Sequence, residues 1–389
     1  MPNKIPRLDI LLYAHDGRGL GHVSRTIAIG IALRRLFPEL RVLLLSGCSI
    51  SQEFIGSAPL DWIKLPSYET VIKSGKSAGI PGKSNFEDRE LGTLRGEQIR
   101  QIVTLYRPRV VLADHSPQGK HRELLPALQA RKPEDVRWVL GIRGVVGQVK
   151  QVSSALAASV FKQFYTSLLW YGDSQVLGDR QLVEITSHFG ISPLECGYVA
   201  GLKERIAGQD ISWIKDLYGT ISVPWFGEKT AGFLRCLYSI LDESTEPQRK
   251  WILYLDQSHP RSAEFTSLFS QLPSCQVEAP GRRYLDSLQR SRCAIIYGGY
   301  NSLMDVLSLA LPALVILRDM HDNEQQDHLE RLMKNSLNGL VPLNEDCQKE
   351  ELTRALETLR AEKQSFKLSI NLDGAEKAAK HLMSLLEKQ

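Results

Sequence analysis

The chain has 389 residues, with 48 basic and 44 acidic side chains and a formal net charge of +4. That length argues for two globular domains. An apolar share of 43% beside 24% charged residues excludes wholesale disorder.

In chain order, residues 9–14 read as a buried strand, Val23 to Phe37 as a helix, and 41–46, 109–113 and 137–142 as further strands. Between them, residues 71–98 read as a long polar connection rich in Gly, Ser and Lys. Its Lys73, Lys76 and Lys83 are candidates to cover an anionic acceptor. The rhythm restarts after residue 200, with strands at 250–255, 292–296 and 312–317. Alternation of strands and helices defines an α/β chain with two doubly wound parallel sheets, that is, two Rossmann-like domains. We expect them at residues 1–200 and 201–373, followed by a helix over 374–389.

Charge divides unevenly between these halves. Residues 1–200 carry 25 basic and 18 acidic side chains, residues 201–389 carry 23 and 26. The basic half lacks a tight cluster with interleaved aromatics, so no nucleic acid is expected, and its surplus points to an anionic acceptor. The six cysteines are scattered without a C-x-x-C pair, which suggests neither a zinc site nor a disulfide framework. The N-terminus lacks a signal-peptide core, and no apolar run reaches the ~18 residues of a membrane span. A cytoplasmic protein is expected, and peripheral membrane contact is compatible with that.

Three loops carry candidate chemistry, because ligands of such sheets bind at the carboxyl ends of the strands. The first, His15 to His22 (H-D-G-R-G-L-G-H), places His22 at a helix start. A neutral imidazole there can take a proton from an attacking hydroxyl. The second opens with Asp114, whose carboxylate can hold that imidazole in the useful tautomer. His22 and Asp114 as simple helix caps are the competing roles. His15, Arg18 and Arg143 are candidate acceptor contacts. The third, Tyr297 to Asp305 (Y-G-G-Y-N-S-L-M-D), pairs glycines with a helix start, which suits a diphosphate. Ser302 adds a hydroxyl there, and Asp305 lies within reach of a ribose. The polar run His321 to Gln326 suits sugar hydroxyls.

These motifs resemble the GT-B glycosyltransferases of the family that includes the N-acetylglucosaminyltransferase making lipid II (family 28-like). The resemblance rests on G-L-G-H-V-S-R at 19–25, G-G-Y-N-S-L-M-D at 298–305 and the E-Q-Q of 324–326. It is closer to a less characterised bacterial branch of predicted glycosyltransferases, through D-x-x-P-x-G-x-x-x-E-L-L-P at 114–126, L-G-I-R at 140–143 and Y-G-D at 171–173. The resemblance implies two domains facing across a cleft, acceptor on the first and nucleotide sugar on the second, with the last helix crossing back. It implies His22 as general base with Asp114 as partner. Gly298, Gly299, Asn301 and Ser302 would hold the diphosphate, Asp305 the ribose, and Glu324 with Gln325 the sugar. One departure stands out: the glycine-rich turn expected at the start of the second domain is P-W-F-G-E-K-T, Pro224 to Thr230. Either Lys229 or Thr230 substitutes as phosphate donor, or the donor is held differently.

The expected activity is an inverting transfer from a nucleotide-diphospho sugar, most simply a UDP-sugar, to an acceptor hydroxyl. Neither a cofactor nor a metal is expected, there being no Asp-x-Asp pair. The alternatives are a UDP-sugar 2-epimerase or hydrolase of the same fold, or a non-catalytic binding protein. The acceptor and the oligomeric state are not legible in the sequence.

Overall fold

The computed structural model describes residues 6–15, 20–73, 76–130, 136–145, 154–208, 214–244, 248–257, 259–281, 283–318, 324–337, 339–361 and 367–387. The chain divides into two compact units, Met1–Arg205 with Asn371–Gln389, and Ile206–Ile370.

The first unit carries strands β1 (Ile10–Tyr13), β2 (Val42–Ser46), β3 (Asp61–Lys64), β4 (Glu69–Lys73), β5 (Lys76–Ile80), β6 (Val110–Asp114), β7 (Arg137–Arg143), β8 (Tyr165–Tyr171) and β9 (Leu194–Glu195). Seven of them form a parallel sheet in the order β3-β2-β1-β6-β7-β8-β9. Strand order reverses between β1 and β6, so the ends of these two strands flank the point where such sheets place ligands. Ile10, Leu12 and Leu44 of the sheet pack with Ile27 and Ile31 of the helix Gly21–Leu36 and with Ala378, Ala379 and Leu382 of the helix Gly374–Glu387. Apolar residues at i, i+3, i+4 and i+7 give both helices the buried face they need. The chain re-enters this unit at Asn371, and at Gly374 a Cβ would stand 2.5 Å from the Gly197 carbonyl oxygen, so glycine is required there.

Residues 71–98 are not the plain connection expected of them. The β4–β5 pair is an antiparallel hairpin, and the helix Asp88–Tyr106 opens with the Glu90 carboxylate accepting from the Glu87 N–H at 3.1 Å. The hairpin forms a two-stranded sheet of its own.

The second unit contains β10 (Leu217–Val223), β11 (Trp251–Leu255), β12 (Cys275–Glu278), β13 (Ser291–Tyr297), β14 (Ala313–Leu317), β15 (Ser336–Leu337), β16 (Leu340–Asn344) and β17 (Lys367–Leu368). Six of these form a parallel sheet, β12-β11-β10-β13-β14-β16, whose order reverses between β10 and β13. Its core is Ile221, Leu253, Ile295 and Leu314 under Phe233, Leu237 and Phe265. Two doubly wound α/β units are thus observed. Strands β3, β12 and β16 lack the long apolar runs of the interior because each lies at or near a sheet edge. β8 follows its helix (Ala155–Phe164) without a turn residue, which merges the two patterns. Among the described residues no helix is long and apolar enough to cross a membrane.

Candidate functional site

In the first unit the structure brings together the ends of β1 and β6. Leu20, not His22, occupies the N-cap of the helix Gly21–Leu36 and provides no side-chain cap. His22 Nδ1 lies 2.6 Å from Asp114 Oδ2, at the last residue of β6. Arg25, one turn further along the helix, donates to Asp114 Oδ1 from Nε (3.1 Å) and Nη2 (2.7 Å). Asp114 therefore serves neither as cap nor as a solvated charge. Burial pushes its carboxyl up, but the Arg25 charge and the His22 contacts outweigh this and hold it well below the usual carboxylate range.

An ionised Asp114 at 2.6 Å requires the proton on His22 Nδ1. The 3.1 Å approach of Arg25 Nη2 to the same nitrogen is then a contact of two donors across a shared carboxylate. In the neutral ring Nε2 then carries the lone pair, the state a general base needs. Two further imidazoles crowd the site. His15 and His115 lie 5.2 and 4.8 Å from the His22 ring, centre to centre, and 5.1 Å from each other. Burial, then His115 and His22, push His15 well below the usual histidine range, and its Nδ1 is buried without a partner. His115 takes a left-handed backbone (φ +72°), uncommon for a residue with a Cβ. Arg143 ends β7 at the same end of the sheet and is half-buried. Arg18 lies outside the described residues, as do Gly17 and Gly19.

The motif residues around this pair build its walls. Glu123, of E-L-L-P, is buried and accepts from Tyr13 (2.5 Å), Tyr68 (2.7 Å) and Arg95 (2.6 and 2.9 Å), which anchors the loop after Asp114. Gly119 in that loop has φ +70°. Gly141, of L-G-I-R, leaves room for the Tyr171 ring, which lies under the Arg25 guanidinium. Asp173, of Y-G-D, accepts from the Gln175 and Asn371 N–H groups and so ties the returning segment down. Sequence reasoning missed Arg25 and His115 as members of the site. An i, i+3 relation to His22 was the available signal for Arg25; His115 needed its unusual φ.

In the second unit, Gly298 and Gly299 follow β13, and the helix Tyr300–Ser308 begins with Gly299 as an N-cap that contributes no side chain. Nothing lies within 4 Å of a Cβ built on Gly299, and the first-turn N–H groups of the helix have no partner within the helix. Gln325 Oε1 stands 3.5 Å from a Cβ built on Gly298, which puts the start of the helix Glu324–Asn335 beside the same loop. Glu324, Asn301 and Ser302 are half-buried, and Asp305 is buried beside the Tyr284 phenol. Residues 321–323 lie outside the described residues.

The P-W-F-G-E-K-T turn differs from expectation. Lys229 pairs with Asp346 (2.7 Å), and Thr230 is fully buried, its hydroxyl donating to Glu345 and accepting from the Gly227 N–H (2.8 Å). Thr230 is thus engaged within the unit, whereas the Lys229 pair with Asp346 lies at the surface, with side chains 40% and 52% exposed. Phe226 turns inward, stacked on His259 at 4.6 Å. A buried cation at this end of the sheet is Arg318, directly after β14.

No family model matches the sequence, and no curated protein does. Solved structures match over nearly the whole chain. MurG from Acinetobacter baumannii shares 12% identity over 99% of this chain and 100% of its own, with a TM-score of 0.55. A putative UDP-N-acetylglucosamine 2-epimerase from Listeria monocytogenes shares 12% over 98% and 96%, with a TM-score of 0.63. The UDP-GlcNAc 2-epimerase from Neisseria meningitidis, bound to UDP-GlcNAc, shares 12% over 98% and 100%, with a TM-score of 0.59. At such identities the likeness is one of fold. The chain shares with these proteins a fold of two Rossmann-like units, and no single family is singled out.

Proposed function

We propose that the protein transfers a sugar from a nucleotide-diphospho sugar to an acceptor hydroxyl, with inversion, and that His22 is the general base. The observation that carries this reading is the 2.6 Å contact of His22 Nδ1 with Asp114 Oδ2, backed by Arg25. His22 Nε2 takes the acceptor proton, the acceptor oxygen bonds to the anomeric carbon, and the bond from that carbon to the diphosphate breaks with its electron pair leaving on the phosphate. Asp114 stabilises the imidazolium that forms. The N–H groups at Gly299–Ser302 meet the charge growing on the leaving diphosphate. Gln325 and Glu324 face the sugar, and His15, His115 and Arg143 are on the acceptor's side. The acceptor carries a hydroxyl and, from the basic balance of the first half, negative charge or a membrane anchor.

A 2-epimerase is the second reading, because the two epimerase structures have the higher TM-scores, 0.63 and 0.59 against 0.55. One experiment separates the two. UDP-GlcNAc is incubated with the protein alone and with a panel of soluble and lipid-linked hydroxyl acceptors, and the nucleotides are resolved by anion exchange. The transferase reading expects UDP release only with an acceptor, and a fall of about 10²–10⁴-fold in His22→Ala. Acceptor-free conversion to the C2 epimer at turnover rates would reject it in favour of the second reading.

A further inference from the structure

The Arg318 side chain is only 7% exposed, yet it is not fully partnered. Its Nε donates to both Glu345 oxygens at 3.1 Å. Its Nη2 donates to the Trp225 carbonyl (2.6 Å) and the Thr230 hydroxyl (3.2 Å). Nη1, on the remaining edge of the plane, is buried with no acceptor. A buried guanidinium edge left without acceptors is costly, of the kind structures seldom retain without a use for it. The plane lies between two aromatic rings, Trp225 at 3.6 Å and Tyr297 at 4.0 Å. These rings are unequal: Tyr297 is the last residue of β13 and buried, whereas Trp225 is 37% exposed. The guanidinium is thus one exposed ring away from solvent.

Its location is informative. Trp225 follows β10, Tyr297 precedes Gly298-Gly299, and Arg318 follows β14, so the cluster sits where the strand order reverses. Beside it starts the helix Thr230–Asp242, whose N-cap residue Lys229 makes no side-chain cap. Glu345 cancels the Arg318 charge, and the uncapped helix start leaves a positive local balance. An unpartnered N–H donor of a guanidinium in such a field suits a phosphate oxygen, which forms a stronger, charge-assisted bond with it than a neutral carbonyl would.

We propose that Arg318 is a phosphate-binding residue of the second unit and that Trp225 is its displaceable cover. A phosphate oxygen of a nucleoside diphosphate takes the Nη1 donors as the Trp225 ring leaves the guanidinium face. This rests on the reading of the second unit as a nucleotide-diphosphate binder, and it adds Arg318 to the phosphate contacts considered for Lys229 and Thr230.

The test follows tryptophan emission of the full chain during titration with inorganic pyrophosphate, UDP and uridine. Pyrophosphate and UDP should change the emission, uridine should not, and the change should vanish in Trp225→Phe. Trp225→Ala, relieved of a cation–π contact, should bind pyrophosphate about 2- to 30-fold tighter than wild type. Arg318→Lys, with charge but no planar fork, should bind it at least about tenfold more weakly. Should Arg318→Lys fail to fold, Trp225→Ala decides, because it leaves Arg318 and its partners intact. Unchanged pyrophosphate affinity in Trp225→Ala, or a uridine response equal to that of UDP, overturns the proposal. Nη1 would then be satisfied by water alone. Calorimetric UDP binding with no Trp225 signal overturns the cover while sparing the donor reading. Absence of UDP binding rejects the donor reading, and the pyrophosphate arm still reads Arg318 by itself.

Discussion

Replacing Asp114 by Asn tests the proposed base most directly, because it keeps the shape of the side chain and removes its charge. Asp114 and Arg25 side chains are 3% and 2% exposed, so the substitution leaves a buried guanidinium facing a neutral amide. Breaking a buried pair in this way costs about 3–5 kcal/mol. At roughly 2–4 °C per kcal/mol for a unit of this size, the melting temperature should fall by about 6–20 °C. The amide oxygen will turn to Arg25, which leaves the NH₂ group facing His22 Nδ1. That nitrogen must then accept, so the ring proton moves to Nε2 and the base is lost. Proton–nitrogen correlation spectra of histidine-labelled protein read this without any acceptor substrate. Wild type should show the His22 proton on Nδ1, Asp114→Asn should show it on Nε2, and turnover should drop about 10³–10⁴-fold. A wild-type His22 protonated on Nε2, or an Asp114→Asn variant melting with wild type, would refute the reasoning.

Gly299→Leu separates function from folding. Gly299 has φ −71° and open space around its Cβ position, so the variant should melt within about 1–2 °C of wild type yet bind UDP at least about tenfold more weakly by calorimetry, since the new side chain overhangs the helix start. Equal UDP affinity would remove this helix from the donor site. His15 predicts a pH dependence. Burial, His115, His22 and Lys120 hold its native proton affinity down against the pull of Asp114, so below the ordinary value of about 6.5 the unfolded chain binds the extra proton. Its contribution is complete above that pH and is lost as the pH falls toward the depressed native value. The slope approaches about 1.4 kcal/mol per pH unit. In denaturant melts between pH 7.5 and 5 the wild type should therefore lose stability relative to His15→Gln as the pH falls. Parallel curves would show that His15 takes its proton as readily folded as unfolded.

Much of the architecture is written in local pattern. Buried strands such as Ile10–Tyr13 and Val110–Asp114 are continuous apolar runs because parallel sheets are covered on both faces, and such runs can be read one at a time. Loops at their ends announce themselves by glycine, histidine and aspartate at strand-to-helix junctions, which is why His22, Asp114 and the Gly298-Gly299 turn could be singled out. Edge strands such as β3 and the β4–β5 hairpin could not, since they lack a continuous apolar run.

What the sequence by itself determined was therefore the class of each unit and the loops bearing polar chemistry. Only the tertiary structure decided which of those groups meet. His22 and Asp114 are 92 residues apart, and their contact depends on β1 lying beside β6. The bond of Thr230 to Glu345, 115 residues away, and the stacking of Arg318 on Trp225 likewise depend on which strands lie side by side. Hydrogen-bond partners reached across such distances are set by strand order, and strand order is chosen by the packing of the whole sheet rather than by any local run of residues.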